Sequence, residues 1–157
     1  MSQAIANQIA EEFKGITGIE VSQKFMGNGP THSPTSLQSG MCGVYAFMAG
    51  EDCFKVGKAG PKSKARWNSH HYNLDETTPS TMPKSIIKYK PRFKRSFPEE
   101  KHREIDELSK ENIQEWIKEN MSRMEFLIED QGDGFALNLL EALVQFYLKP
   151  IFEGRHV

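Results

Sequence analysis

The stretch MCGVYAFMAGEDCFKVG, residues 41–57, constrains the chain more than any other. Two short runs rich in Val, Phe and Tyr flank a tight AGED turn, which predicts an antiparallel β-hairpin. Pairing Tyr45 with Lys55 leaves a three-residue loop, Ala49-Gly50-Glu51, with glycine at its centre. Directly paired residues of an antiparallel ladder share a face, so this register places Tyr45 and Lys55 side by side.

The remaining elements follow from periodicity. Ser2 can cap a first helix in which Ile5, Ile9, Phe13 and Ile16 form one stripe. Residues 27–36, GNGPTHSPTS, predict an exposed loop, either a passive connection or an arm that touches a partner. Pro61 suits the first turn of a helix running to about Tyr72. Residues 75–85, DETTPSTMPKS, read as loop, and the basic run that follows carries Tyr89, Phe93 and Phe97 in a Pro-interrupted stretch without a helical or strand-length apolar pattern. From Glu99 to Met121 the pattern is helical, broken near Ser109, with Ile105, Leu108, Ile113, Trp116 and Ile117 inward. Arg123–Glu129 alternates Met124, Phe126 and Ile128 with charges, a third strand. FALNLLEALVQFYLK, apolar nearly all round, predicts a central buried helix. The expected class is α+β: a small three-stranded antiparallel sheet flanked by helices, with an N-terminal helix and a basic loop insertion. A length of 157 residues suits one core, so 1–157 reads as a single domain in which 1–40 is an extension and 41–153 the functional core.

Charge is segregated along the chain. Residues 55–103 hold 13 basic and 4 acidic side chains, a formal +9, in a protein of net charge −1. Such segregation points one face at an anionic partner, with a flexible basic loop as the bland alternative. The opening MSQAIANQIAEEFKG has no basic segment leading into an apolar one, so neither a signal peptide nor an anchor is expected, and the cytoplasm is the expected compartment. Cys42 and Cys53 are then expected as reduced thiols. With His70 and His71 they lack the paired spacing of a zinc site.

An ordered set carries the functional signal: Gly43-Val44-Tyr45, then Lys55-Val56-Gly57, then Arg66 and His70 four apart, then Glu141 within LLEALVQFYLKP. In this order the motifs resemble the GIY-YIG nuclease superfamily, over roughly residues 41–153, with Pro150 nine residues beyond Glu141 as in similar members. The resemblance implies a GIY-YIG-like nuclease core and a metal-dependent endonuclease with Tyr45, Lys55, Arg66, His70 and Glu141 as catalytic residues. Lys55 stands where the second tyrosine of the motif is usual, a substitution also found in restriction-endonuclease members. Glu153 stands where many members have asparagine.

The chemistry of the residues runs in parallel. Phosphodiester hydrolysis needs a positioned water, a base, and positive charge on the phosphate and the departing oxygen. Glu141 can hold Mg²⁺, with Mn²⁺ as the alternative, since such ions keep several waters and accept phosphate oxygens. Tyr45 can take a proton if Lys55 or the metal stabilises its phenolate. Arg66 offers a planar fork to the phosphate, and His70 can orient either Tyr45 or the phosphate. Asn138, Glu141 and Gln145 form one polar stripe, which either faces water or lines a cleft.

Lys58, Lys62, Lys64, Lys88, Lys90, Arg92, Lys94 and Arg95 are the candidate contacts to the backbone of DNA, expected as duplex. Phe93 and Phe97 either stack on bases or anchor their segment in the core. Cutting both strands calls for a homodimer or transient pairing. The roles that inform the enzyme are restriction, DNA degradation or repair. The competing readings are a non-catalytic nucleic-acid-binding module on the same fold and a protein-interaction domain.

Overall fold

A computed structural model describes residues 3–74 and 81–153. The Ser2 cap and the loop at 75–80 lie outside the described residues. Four strands, β1 (Ser22–Met26), β2 (Met41–Ala49), β3 (Asp52–Ala59) and β4 (Ser122–Glu129), form one antiparallel sheet in the order β1-β4-β2-β3. The sheet therefore has four strands, not three. β1 escapes sequence reading because SQKFM is a short edge strand with only Met26 buried, so it has no apolar alternation to show.

The hairpin register differs from the expected one. Ala49 pairs with Asp52 and Met48 with Cys53, so the turn is the two-residue Gly50-Glu51, with Gly50 at φ 58°. Continued without interruption, that register would set Lys55 opposite Ala46, on the wrong face. A β-bulge intervenes: the next pair is Phe47 with Lys55, then Tyr45 with Gly57. Phe54 and Lys55 together oppose Phe47, and one extra residue restores the shared face of Tyr45 and Lys55.

The two faces of the sheet have separate covers. Val44, Ala46, Met48, Val56, Met124, Phe126 and Ile128 pack on α1 (Gln3–Thr17) and α7 (Phe135–Leu148). In α1 the buried stripe is Ala6, Ile9 and Phe13, while Ile16 is exposed. α7 is not buried all round. It inserts Leu137, Leu140 and Val144 and leaves Phe135 and Phe146 at 75% and 67% exposure, because only one side of the helix meets the sheet and α1.

The opposite face lies under α2 (Lys64–Asn68), α3 (Met82–Lys88), α4 (Lys90–Lys94), a 3₁₀ turn (Glu99–Lys101), α5 (His102–Asp106) and α6 (Ile113–Asn120). The expected basic loop is thus helical. Pro83 and Pro91, which look like interruptions in the sequence, occupy the first turns of α3 and α4, where a fixed φ favours starting a helix. Phe93 is fully buried against Phe54 (4.8 Å), Phe97 (4.8 Å) and Trp116 (5.6 Å), so these aromatics are core anchors. The 27–36 loop is pinned by buried His32, whose Nδ1–H donates to the Met121 carbonyl and whose Nε2 accepts from the Tyr72 hydroxyl, both at 2.6 Å.

Beyond α7 the chain turns at Lys149 (φ 48°) and Pro150 and docks on the free edge of β3. The N–H groups of Ile151 and Phe152 donate to the carbonyls of Cys53 and Phe54, each at 2.9 Å. Those carbonyls flank the bulge, so the edge is covered where the ladder is irregular. Among the described residues no helix is long and apolar enough to cross a membrane.

Candidate active site

Both glycine-bearing tripeptides have a steric reason. A Cβ on Gly57 would stand 2.4 Å from the Tyr45 hydroxyl oxygen, and one on Gly43 would stand 2.8 Å from the Trp67 ring. The Tyr45 ring therefore lies across its bare partner on β3, and its hydroxyl reaches toward the free edge of the sheet. Trp67, Phe47 and His71 surround that ring at 5.7, 6.0 and 4.8 Å between centroids.

The phenol oxygen is a convergence point. Arg66 Nε lies 3.5 Å from it, and His71 Nε2 makes a short hydrogen bond to it. The Met82 backbone N–H points at His71 Nδ1 (3.2 Å), so in the neutral ring Nδ1 accepts and Nε2 carries the proton. Burial, together with the charges of Lys55, Arg123 and Arg66, holds His71 well below the ordinary histidine range and therefore neutral. Two N–H groups thus donate to one phenol oxygen. Burial pushes the Tyr45 pKa up, opposed by the Arg66 hydrogen bond and by the charges of Arg66 and Arg123.

His71, not His70, is the partner of Tyr45. The expected helix to Tyr72 stops at Asn68, and its last turn widens: Ser69 and His70 N–H both bond the Ala65 carbonyl, at 2.9 Å. That widening rotates the following residues off the ideal helical positions. His71 becomes buried while His70 stays half-buried. The uninterrupted i, i+4 spacing picks out His70, whereas the hydrogen bond to Tyr45 comes from its neighbour in the HH doublet, His71.

Lys55, 7% exposed, shares the Tyr45 face and bonds Glu153 (3.3 Å), which Gln145 holds from its other oxygen (2.8 Å). Glu141 sits on α7, beside the β3 edge, where its charge acts on Tyr45, Arg66 and Glu153. The polar stripe on α7 thus faces the site: Asn138 and Glu141 accept from Lys58, Gln145 donates to Glu153. Tyr45 and Arg66 meet over Gly57, Glu141 bonds the next residue, Lys58, and Lys55 lies two residues back on the Tyr45 face.

The electrostatic floor of the site is Arg123, one of the charges that alternate with the apolar residues of β4. It is fully buried. Its guanidinium carbon lies 4.9 Å from the Tyr45 ring centre and 5.0 Å from that of Trp67. Its N–H groups reach the Trp67 carbonyl (2.7 Å), Glu125 (3.2 Å) and the Tyr72 hydroxyl (3.4 Å). A permanent cation buried under a phenol favours the ionised phenol. The signal was indirect: an aromatic-rich segment after the hairpin needs a second sheet face to cover, which makes the charged side of β4 interior.

The basic set divides. Lys58 donates to Asn138 Oδ1 and Glu141 Oε2, each at 2.7 Å. Lys90 and Lys94 reach Asp106, at its carbonyl (2.9 Å) and carboxylate (2.8 Å), and so tie α4 to α5. Lys62, Lys64, Lys88 and Arg95 are exposed, and Arg92 is half-buried. Lys88 lies 5.0 Å above the Tyr89 ring.

As for a metal, two hard oxygen donors, from Asn138 and Glu141, converge on the Lys58 ammonium as they would on a cation. That donor chemistry suits Mg²⁺ or Mn²⁺, which complete their shells with water and phosphate oxygens. Among the described residues no group of three or more His, Cys, Asp or Glu side chains is arranged to hold a metal. Compared with protein-family models, curated proteins and solved structures, the chain has no match.

Proposed function

We propose that this chain is a divalent-metal-dependent endonuclease that hydrolyses phosphodiester bonds in DNA on a GIY-YIG-like scaffold. The observation that carries the reading is the Tyr45 hydroxyl, bonded to Arg66 and neutral His71 beside Lys55, with the Glu141 carboxylate close enough for its charge to be felt. Arg66, His71 and Arg123 stabilise Tyr45 as the phenolate once its proton has left to solvent, and that phenolate takes the proton of the attacking water and becomes the neutral phenol. Arg66, an exposed residue held through Nε, presents its remaining N–H groups to the phosphate as negative charge builds there. Lys55, fixed by Glu153, adds positive charge on the same face. Glu141 and Asn138 would hold the metal, which when bound neutralises phosphate charge and the departing 3′ oxygen. One site cuts one strand, so double-strand cleavage requires two chains, paired or in succession.

Incubation of supercoiled plasmid with Mg²⁺ or EDTA, read on a gel, tests this reading. Wild type should nick only with the metal, and Glu141→Gln should bind DNA without cutting it. Cleavage by Glu141→Gln at the wild-type rate removes Glu141 from its role. No cleavage by wild type with either Mg²⁺ or Mn²⁺ favours the second reading, a non-catalytic DNA-binding module. That alternative rests on the Lys58 ammonium, which already neutralises Glu141.

A further inference from the structure

Beside Lys55 a cavity of about 290 Å³ opens between α3 and the docked C-terminal segment. It is lined by Lys55, Lys84, Ser85, Lys88, Tyr89 and Phe152. Half of the lining residues are lysines, one is a serine, and none is a carboxylate. The adjacent Glu153 is turned toward Lys55 and Gln145. The occupant that such a wall favours is an anion.

The remaining wall selects the shape of that anion. Tyr89 and Phe152 form an aromatic side, their rings stacked 30° apart with centroids at 5.9 Å. Phe152 is fixed by its backbone bond to Phe54, and Tyr89 by its place at the end of α3. An inorganic phosphate would leave most of 290 Å³ unfilled, whereas a phosphate carrying a flat ring meets both walls. Aromatic faces stack on any base, and lysines match the phosphate as point charges.

Resting on the nuclease reading, we infer that this cavity is a subsite for one unstacked nucleotide of the substrate strand, next to the scissile phosphate. Its phosphate lies among Lys84, Ser85 and Lys88, and its base lies against Tyr89. Lys55 belongs to both the cavity and the Tyr45 face, so the two sites are contiguous along a strand. A base can enter only when it has left the helical stack, which costs least where it is unpaired. The substrate preference is therefore for single-stranded or locally unpaired DNA over continuous duplex.

The test is binding of thymidine monophosphate in EDTA, followed by backbone amide NMR shifts, with thymidine and inorganic phosphate as separate probes. The nucleotide should shift Ser85 and Tyr89 and bind at least ~10-fold more tightly than either fragment, since stacking and charge each contribute a comparable factor. Lys88→Glu and Ser85→Asp, made singly and together, should weaken it at least ~10-fold, and exposed Lys88 is a substitution the fold tolerates. Unchanged affinity in these variants, or shifts elsewhere on the surface, overturns the subsite. Equal binding of phosphate alone reduces it to an ion site, and equal binding of thymidine to an apolar slot, and either result overturns it too. None of these outcomes involves cleavage, so failure of the plasmid assay and failure of the subsite are separate results.

Discussion

The two faces of the sheet are made by the same strands and differ in almost everything else. Along β2, Val44, Ala46 and Met48 meet α1 and α7, while Tyr45 and Phe47 meet the helices that follow the hairpin. The first interior is built from aliphatic and sulfur side chains with Phe13 and Phe126, and among the described residues none of the buried charged groups belongs to it. The second buries Arg123, Glu125, His32, His71 and Lys55. Burying such groups costs several kcal/mol each unless they are bonded, so they persist only as a network. Arg123 reaches Tyr72, Tyr72 reaches His32, and His71 reaches Tyr45. One face is held by apolar packing, and the other by a bonded polar network set among aromatic rings.

Neighbouring residues on one strand can break or sharpen that contrast. Tyr45→Phe should lower cleavage about 10²–10⁴-fold, the range for removing a general base, and cost about 1–3 kcal/mol in thermal unfolding, since the buried His71 N–H loses its acceptor. Arg66→Ala should cost at least ~10²-fold in turnover at saturating DNA, with a small loss of binding. Cleavage at the wild-type rate in either variant would remove that residue from the chemistry.

Arg123→Met should cost about 3–5 kcal/mol in urea unfolding, because Glu125 and the Trp67 carbonyl lose their buried partner. It should also move the pH–rate profile toward alkaline pH, as the cation beneath Tyr45 is gone. Met124→Ala, one residue along and on the other face, should cost about 2–5 kcal/mol and leave the profile where it was. Identical pH profiles in the two variants would abolish the distinction between the faces.

Gly57→Ala sits between the extremes. The added methyl must displace the Tyr45 hydroxyl, so about 1–3 kcal/mol of overpacking should accompany a loss of cleavage far larger than that of Val56→Ala beside it.

The smallest effect is in pH. Burial lowers both His32 and His71 below the usual 6.5, so the unfolded chain binds protons that the native one refuses. The stability they give is fully present above about pH 6.5 and falls as pH drops toward their folded values. The urea midpoint should decline from pH 7.5 to 6.0, and His71→Gln should flatten that decline. Glu125 and Glu153, whose pKa values burial raises, act in the opposite sense nearer to pH 4.5.

The sequence made the aliphatic face legible and the polar face only partly so. Alternation in Met124, Phe126 and Ile128 and the AGED turn suffice to find β2, β3 and β4. They did not reveal that Arg123 and Glu125 are also interior, because charge on alternate positions ordinarily means solvent. Tyr45, Lys55, Arg66 and Glu141 were found as an ordered set, yet the bulge that aligns the first two is a single unmarked residue. His71 was missed for a similar reason: one widened helical turn moves the chain by one position, and no residue type announces it. Prolines misled in the basic segment, where they start short helices. β1 offered no pattern at all.

The bond between Lys55 and Glu153 joins groups 98 residues apart. It depends on the backbone of Ile151 and Phe152 reaching the carbonyls beside the bulge. In folding terms this is a contact of high order, closed only after most of the loop entropy has been lost. Tyr45, Lys55 and Arg66 are made on the ribosome before the carboxylates Glu141 and Glu153. The site therefore closes only once residue 153 has been made, and a chain stopped before residue 150 keeps the basic middle segment while lacking the clasp that fixes its lysine.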